Sequence, residues 1–136
     1  MAWVVDTSVV LDVRLADPVF GRASSACLHD RLADGLVIPP VVFAEMAITF
    51  HGDSLQQEGW LTGMEIQFAE PWIHVDTRTS HRLWHDYILR KRGGAVPKRP
   101  LADVFVAAFA LRFQGLITRN RADFASIAPT LNIVEP

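Results

Sequence analysis

Three lone carboxylates stand inside three otherwise apolar runs of this chain. Asp6 closes Trp3-Val4-Val5-Asp6, Glu45 is the only charged residue between Leu36 and Ile48, and Asp103 is the only polar residue between Leu101 and Leu111. An ionised acid is costly to take out of water unless a partner neutralises it. No lysine or arginine shares these runs, so a divalent cation is the natural partner. If the three acids converge to roughly 6 Å at an effective dielectric of about 20, each pair repels by about 3 kcal/mol. Such a cluster must protonate in part or bind cations. Hard oxygen ligands without histidine or sulfur select Mg²⁺ or Mn²⁺ rather than zinc. Metal ions so held can activate a water and stabilise the departing oxygen of a phosphodiester. Each acid also has a plain structural role open to it. Asp6 before Thr7-Ser8 can cap a helix, and Asp103 near a helix start gains from the macrodipole. Glu45, among Val41, Val42, Ala44, Met46 and Ile48, has no capping role in a mid-helix position.

The elements that must position these acids alternate along the chain. Residues 3–5 predict a buried first strand, followed by a helix to about Arg14 and a second over residues 19–34 stopped by Gly35. Residues 36–38 predict a strand, and Pro40 opens a helix over residues 40–50 that carries Glu45. A helix over 54–69, a third strand over 72–75 and an amphipathic helix over 77–92 come next. The glycines and prolines of residues 93–100 predict a loop. A helix over 101–113, apolar nearly all round, leads to a strand at 116–118 and a last one within 131–134. The alternation predicts one α/β domain over residues 1–136, a three-layer α/β/α sandwich with a mostly parallel sheet of four to five strands. Ligands of such sheets gather outside the carboxyl ends of the strands. Asp6, Glu45, Asn120 and Asp123 follow strands, and Asp103 reaches the same edge because its helix runs antiparallel to the next strand.

Whole-chain properties narrow the function classes. A length of 136 residues buries a real core, and 50% apolar with 21% charged residues is globular rather than disordered composition. The formal charge of −2 excludes a strongly basic nucleic-acid binder, though not a local basic patch. Cys27 is the only cysteine, so neither a disulfide framework nor a cysteine zinc site is possible, and a reducing cytoplasm is expected. No signal peptide is evident, and no apolar run approaches the ~20 residues that span a bilayer.

Four segments in order resemble a known family: residues 4–11 (Val-Val-Asp-Thr-Ser-Val-Val-Leu), 38–46 (Ile-Pro-Pro-Val-Val-Phe-Ala-Glu-Met), 100–108 (Pro-Leu-Ala-Asp-Val-Phe-Val-Ala-Ala) and 116–124 (Leu-Ile-Thr-Arg-Asn-Arg-Ala-Asp-Phe). Together they are similar to the PIN-domain nucleases, and within them to the VapC ribonuclease toxins of VapBC toxin–antitoxin pairs. The resemblance covers essentially the full chain. It implies a PIN-like fold and a Mg²⁺-dependent endoribonuclease, with Mn²⁺ as a substitute, whose metal-binding acids are Asp6, Glu45 and Asp103. Asp6 and Asp103 are then the direct ligands, and Thr7 and Thr118 match supporting hydroxyl positions. The family's fourth acid falls on Asn120, a departure that removes a charge; Asp123, three residues on, is the candidate replacement. The resemblance also implies an RNA substrate, a VapB-type antitoxin, and a homodimer or toxin–antitoxin hetero-oligomer, for which the apolar side of the 54–69 helix is a candidate interface.

Basic residues gather near these acids. Lys98 and Arg99 precede Asp103, and Arg119 and Arg121 flank Asn120, so all four are candidate RNA phosphate contacts. Basic residues also complement helix C-termini, a competing role. A haloacid-dehalogenase-like phosphatase with Asp6 as nucleophile would need an aspartate where Ser8 stands and a lysine after a later strand; neither is present. A catalytically weak or inert PIN-like binding module is the other alternative, encouraged by Asn120.

Overall fold

The computed structural model describes residues 1–91 and 100–136. Its centre is β1 (Trp3–Val5), whose three residues are all buried. The other strands are β2 (Leu36–Val37), β3 (Ile66–Gln67), β4 (Gly115–Ile117) and β5 (Ile133–Val134). They form one sheet in the order β3-β2-β1-β4-β5, parallel at every pairing. A strand covered on both faces must be apolar on both, so Val4, Val5, Leu116 and Ile117, all fully buried, follow one another without alternation.

Seven α-helices lie among the described residues: α1 (Thr7–Arg14), α2 (Gly21–Asp30), α3 (Pro40–Glu45), α4 (Ser54–Gly63), α5 (His74–Arg90), α6 (Leu101–Ala110) and α7 (Arg121–Ile127). Helices α1 and α2 pack together, and α5, α6 and α7 form a second group. By the right-handed crossover rule for parallel strands, this strand order puts the two groups on opposite faces, the expected three layers. The crossovers run one way from β1 to β3 and return past β1 to β4. The strand order therefore reverses between β1 and β4, and a crevice at their carboxyl ends is the place such a sheet offers a ligand. At the opposite end of β4, Gly115 leaves no room for a side chain, since a Cβ would lie 2.8 Å from the Trp3 ring.

Several boundaries differ from those the sequence predicts. The third strand is Ile66–Gln67, not residues 72–75, and the helix expected over 54–69 stops at Gly63. Glu65 adopts a left-handed backbone (φ 58°), which ends the helix and starts the strand. Residues Trp72 and Ile73 instead lead into α5, where the Asp76 carboxylate accepts the Ile73 N–H (3.0 Å), while Trp72 packs edge-on to Phe105. Of the apolar side expected on α4, Leu61 enters the core while Leu55 is exposed. Helix α6 is buried from Val106 to Ala110, but Leu101 at its start is exposed. A further helix, α7, occupies residues that carried no predicted element. No helix among the described residues is long and apolar enough to cross a membrane.

Candidate metal-binding site at the switch point

Asp6 is the first residue past β1 and the N-cap of α1. Its backbone N–H continues the sheet ladder to Ile117 O, so the position is fixed by both strands of the switch point. Its side chain is buried and accepts three hydrogen bonds: Thr7 N–H on Oδ1 (2.8 Å), and Ser8 Oγ (2.9 Å) and Thr118 Oγ1 (2.8 Å) on Oδ2. These donors compensate the loss of hydration that the sequence assigned wholly to a cation. Capping therefore leaves Asp6 at the carboxyl edge of the sheet.

Glu45 departs from expectation. It is the last residue of α3, not a mid-helix residue, and it is exposed rather than buried in an apolar run. The chain leaves the helix after Glu45, so its side chain emerges at the sheet edge. There Oε1 accepts the Thr7 hydroxyl at 2.8 Å. Thr7 consequently bonds Asp6 through its N–H and Glu45 through its hydroxyl.

Asp103 occupies the first turn of α6 and is half-buried. Burial first, then the charges of Asp6, Glu45 and Asp123, push its carboxyl from 3.8 up to about 6. Those electrostatic neighbours are the three other acids of the sequence-derived set, and together with Asp103 they come from four separate elements. Asp123 lies in the first turn of α7 and is exposed. Asn120 sits at the N-cap position of α7 without capping it by its side chain; its backbone N–H donates to Thr118 Oγ1 at 3.0 Å.

The donor set is all oxygen. Among the described residues, no three acidic, histidine or cysteine side chains close on a single point as an all-protein cage would. Mg²⁺ does not need one: it keeps several waters and is commonly held by one or two carboxylates together with substrate phosphate. Asp6 and Asp103, with Glu45 at the rim, could hold such an ion or its hydration shell. Burial raises Asp103 most; the repulsion from Asp6, Glu45 and Asp123 that adds to it is what a cation would relieve.

The candidate phosphate contacts fare differently. Lys98 and Arg99 lie outside the described residues. Arg121, half-exposed, donates to Ile133 O (2.9 Å) and stands 3.5 Å from Glu135. Arg119 forms a two-bond ion pair with buried Asp12, Nε to Oδ2 at 2.6 Å and Nη2 to Oδ1 at 3.0 Å. One partner, Asp12, escapes the sequence reading; Ser8, expected among the helix-capping side chains, donates to Asp6. Asp12 is itself a lone acid between Leu11 and Val13, so the criterion that singled out Asp103 applied to it as well.

No protein-family model and no curated protein sequence matches the chain. Solved structures do. A chain of the FitAB complex bound to an IR36 DNA fragment superimposes with a TM-score of 0.68 at 16% identity, covering all of this chain and 95% of that one. A chain of VapBC2 from Rickettsia felis, bound to a DNA fragment from their promoter, gives 0.68 at 17% identity, covering 100% and 99%. The fold is PIN-like. At such identity the likeness concerns the fold. In the PIN-like frame the carboxyl edge at the β1–β4 reversal is where Asp6, Thr118 and Asn120 meet.

Proposed function

We propose that this protein is a Mg²⁺-dependent endoribonuclease and the toxin of a type II toxin–antitoxin pair. The observation that carries the chemistry is the gathering of Asp6, Glu45, Asp103 and Asp123 at one edge of the sheet, where burial first and then the other three charges raise the Asp103 carboxyl to about 6. The two-protein FitAB and VapBC2 assemblies, both DNA-bound and both containing this fold at full length, support the antitoxin partner.

A bound Mg²⁺ would supply charge neutralisation at the scissile phosphate and a lowered water pKa. The chain's own part is positioning. Asp6 is held in one orientation by Thr7, Ser8 and Thr118, so its carboxylate needs no reorganisation when substrate arrives. Glu45 is tethered by Thr7 at the solvent rim, where it can accept a proton from an incoming water. Asp103, ionised above about pH 6, would hold the cation together with Asp6. Asn120 offers a neutral carbonyl oxygen where a fourth charge is absent. That neutrality favours one metal ion over two, with Asp123 standing by the shared edge.

The test uses protein freed of any antitoxin and a structured RNA, with and without Mg²⁺ or Mn²⁺. Cleavage that requires the metal and disappears in Asp6→Asn and Asp103→Asn is the expected result. Cleavage without metal, or surviving both substitutions, sinks the mechanism. The neutral Asn120 and the lack of a closed ligand cage among the described residues favour one rival, a weakly active or inert binding module; RNA binding without metal-dependent cleavage would identify it.

A further inference from the structure

The Asp12–Arg119 pair joins the two sides of the crevice. Asp12 lies on α1, six positions after Asp6. Arg119 lies between Thr118 and Asn120 in the turn from β4 to α7. Asp12 is only 4% exposed and also accepts the hydroxyl of fully buried Ser24 on α2 (2.9 Å). The Arg119 guanidinium lies over the Phe20 ring, 4.0 Å from its centroid. Phe20 is presented by a tight turn in which Asp17 Oδ1 accepts the N–H groups of Val19 and Phe20.

The turn is therefore fastened to α1 at two points. Thr118 Oγ1 grips the helix N-cap at Asp6, and Arg119 grips the helix farther along at Asp12. One attachment leaves a rotation free; two fix the orientation of the turn relative to the helix. A buried ion pair adds little net stability, because desolvation offsets the attraction. What a planar, two-bond guanidinium–carboxylate contact does supply is direction. We propose that Arg119, held by Asp12, is a positioning residue that sets the metal-facing edge formed by Asp6, Thr118 and Asn120, and is not a phosphate contact.

The experiment compares Arg119→Gln, Asp12→Asn and the double variant with the wild type. Mn²⁺ affinity without RNA is read by electron paramagnetic resonance, and amide exchange at Asn120 by NMR. Steady-state RNA cleavage and the salt dependence of RNA binding complete the set. Each single variant should weaken Mn²⁺ binding by about tenfold, the low end for partners that orient a metal ligand. The double variant should be no worse than the worse single one. Exchange at Asn120 should speed up, and kcat should fall while KM and the salt slope stay unchanged. A raised KM and flatter salt slope in Arg119→Gln alone, with RNA binding intact or tighter in Asp12→Asn, would make Arg119 a phosphate contact and overturn the proposal. Unchanged Mn²⁺ affinity and exchange would overturn it too, as would a wild type that binds no Mn²⁺. If Arg119→Gln does not fold, Ser24→Ala loosens the same clasp and should move Mn²⁺ affinity the same way; no movement counts against it. Only the kinetic readout rests on the nuclease reading: a wild type that binds Mn²⁺ but cleaves no RNA refutes that reading, while Mn²⁺ affinity and exchange still decide the role of Arg119.

Discussion

Thr118 Oγ1 donates to Asp6 Oδ2 at 2.8 Å across 112 positions of sequence, and neither side chain is open to solvent. The bond ties the carboxyl ends of β1 and β4 together at the one place where the strand order reverses. The Thr118 hydroxyl also accepts the Asn120 N–H, so one oxygen sets the geometry on both sides of the crevice.

Thr118→Val removes that oxygen with little change of shape. It leaves a buried carboxylate oxygen with one donor fewer and the Asn120 N–H without its acceptor, a cost of about 1–3 kcal/mol. Urea denaturation should show the loss, and metal-dependent cleavage should fall with it. Thr118→Ser keeps the hydroxyl and should recover most of both; failure of serine to recover cleavage would deny the hydroxyl its role.

Asp103 gives the metal-free protein a distinctive pH dependence. Its folded carboxyl titrates near 6 against 3.8 ordinarily, so between those values the folded state holds a proton that the unfolded chain has released. Stability from this group therefore falls as pH rises from about 4 to about 6, then levels off. The half-exposed carboxyl is partly screened, which reduces the cost at neutral pH to about 1–2 kcal/mol. Metal-free Asp103→Asn should melt a few degrees above wild type at pH 7.5 and level with it near pH 4. Mg²⁺ should stabilise the wild type at pH 7.5 more than it stabilises the variant. Equal melting temperatures at both pH values would contradict the electrostatic account.

Thr7→Val separates tethering from folding. Thr7 bonds Glu45 at the rim, where the lost hydrogen bond costs about 0.5–1.5 kcal/mol or less. Thermal stability should change little while kcat drops, and Thr7→Ser should restore it. A kcat unchanged in Thr7→Val would show that Glu45 needs no tether.

Asp76 and Arg112 provide a control remote from the carboxyl edge. Asp76 is fully buried and takes two bonds from Arg112, at 2.6 and 2.8 Å, while Arg112 also lies over Phe109 and Phe113. Asp76→Ala takes the main partner from the partly buried Arg112 guanidinium, which keeps Glu70 and Pro71 O, and uncaps α5, so it should cost about 1–3 kcal/mol. Calorimetry should show the loss, while Mn²⁺ affinity of the folded fraction stays at the wild-type value.

Much of the site was legible because its signals are local. A carboxylate after an apolar strand, or alone at the start of an apolar helix, stands out against its neighbours; thus Asp6 and Asp103. Glu45 was found for the wrong reason: the apolar run around it ends in a turn, and the residue lies in water. The third strand was misplaced because a two-residue strand has too few side chains to show a period, whereas Trp72 and Ile73 look like one.

The sequence by itself determined the alternation of strands and helices, the parallel sheet, and the set of acids at its carboxyl edge, since apolar periodicity and strand-end position are properties of neighbouring residues. Only the tertiary structure decided which charges face one another. It gave Arg119 to Asp12 rather than to solvent, put Ser8 and Thr118 on Asp6, and brought Asp123 within range of Asp103. Electrostatic partnership depends on distance through space, and in a sheet that reverses its strand order those distances are set by pairings more than a hundred residues apart.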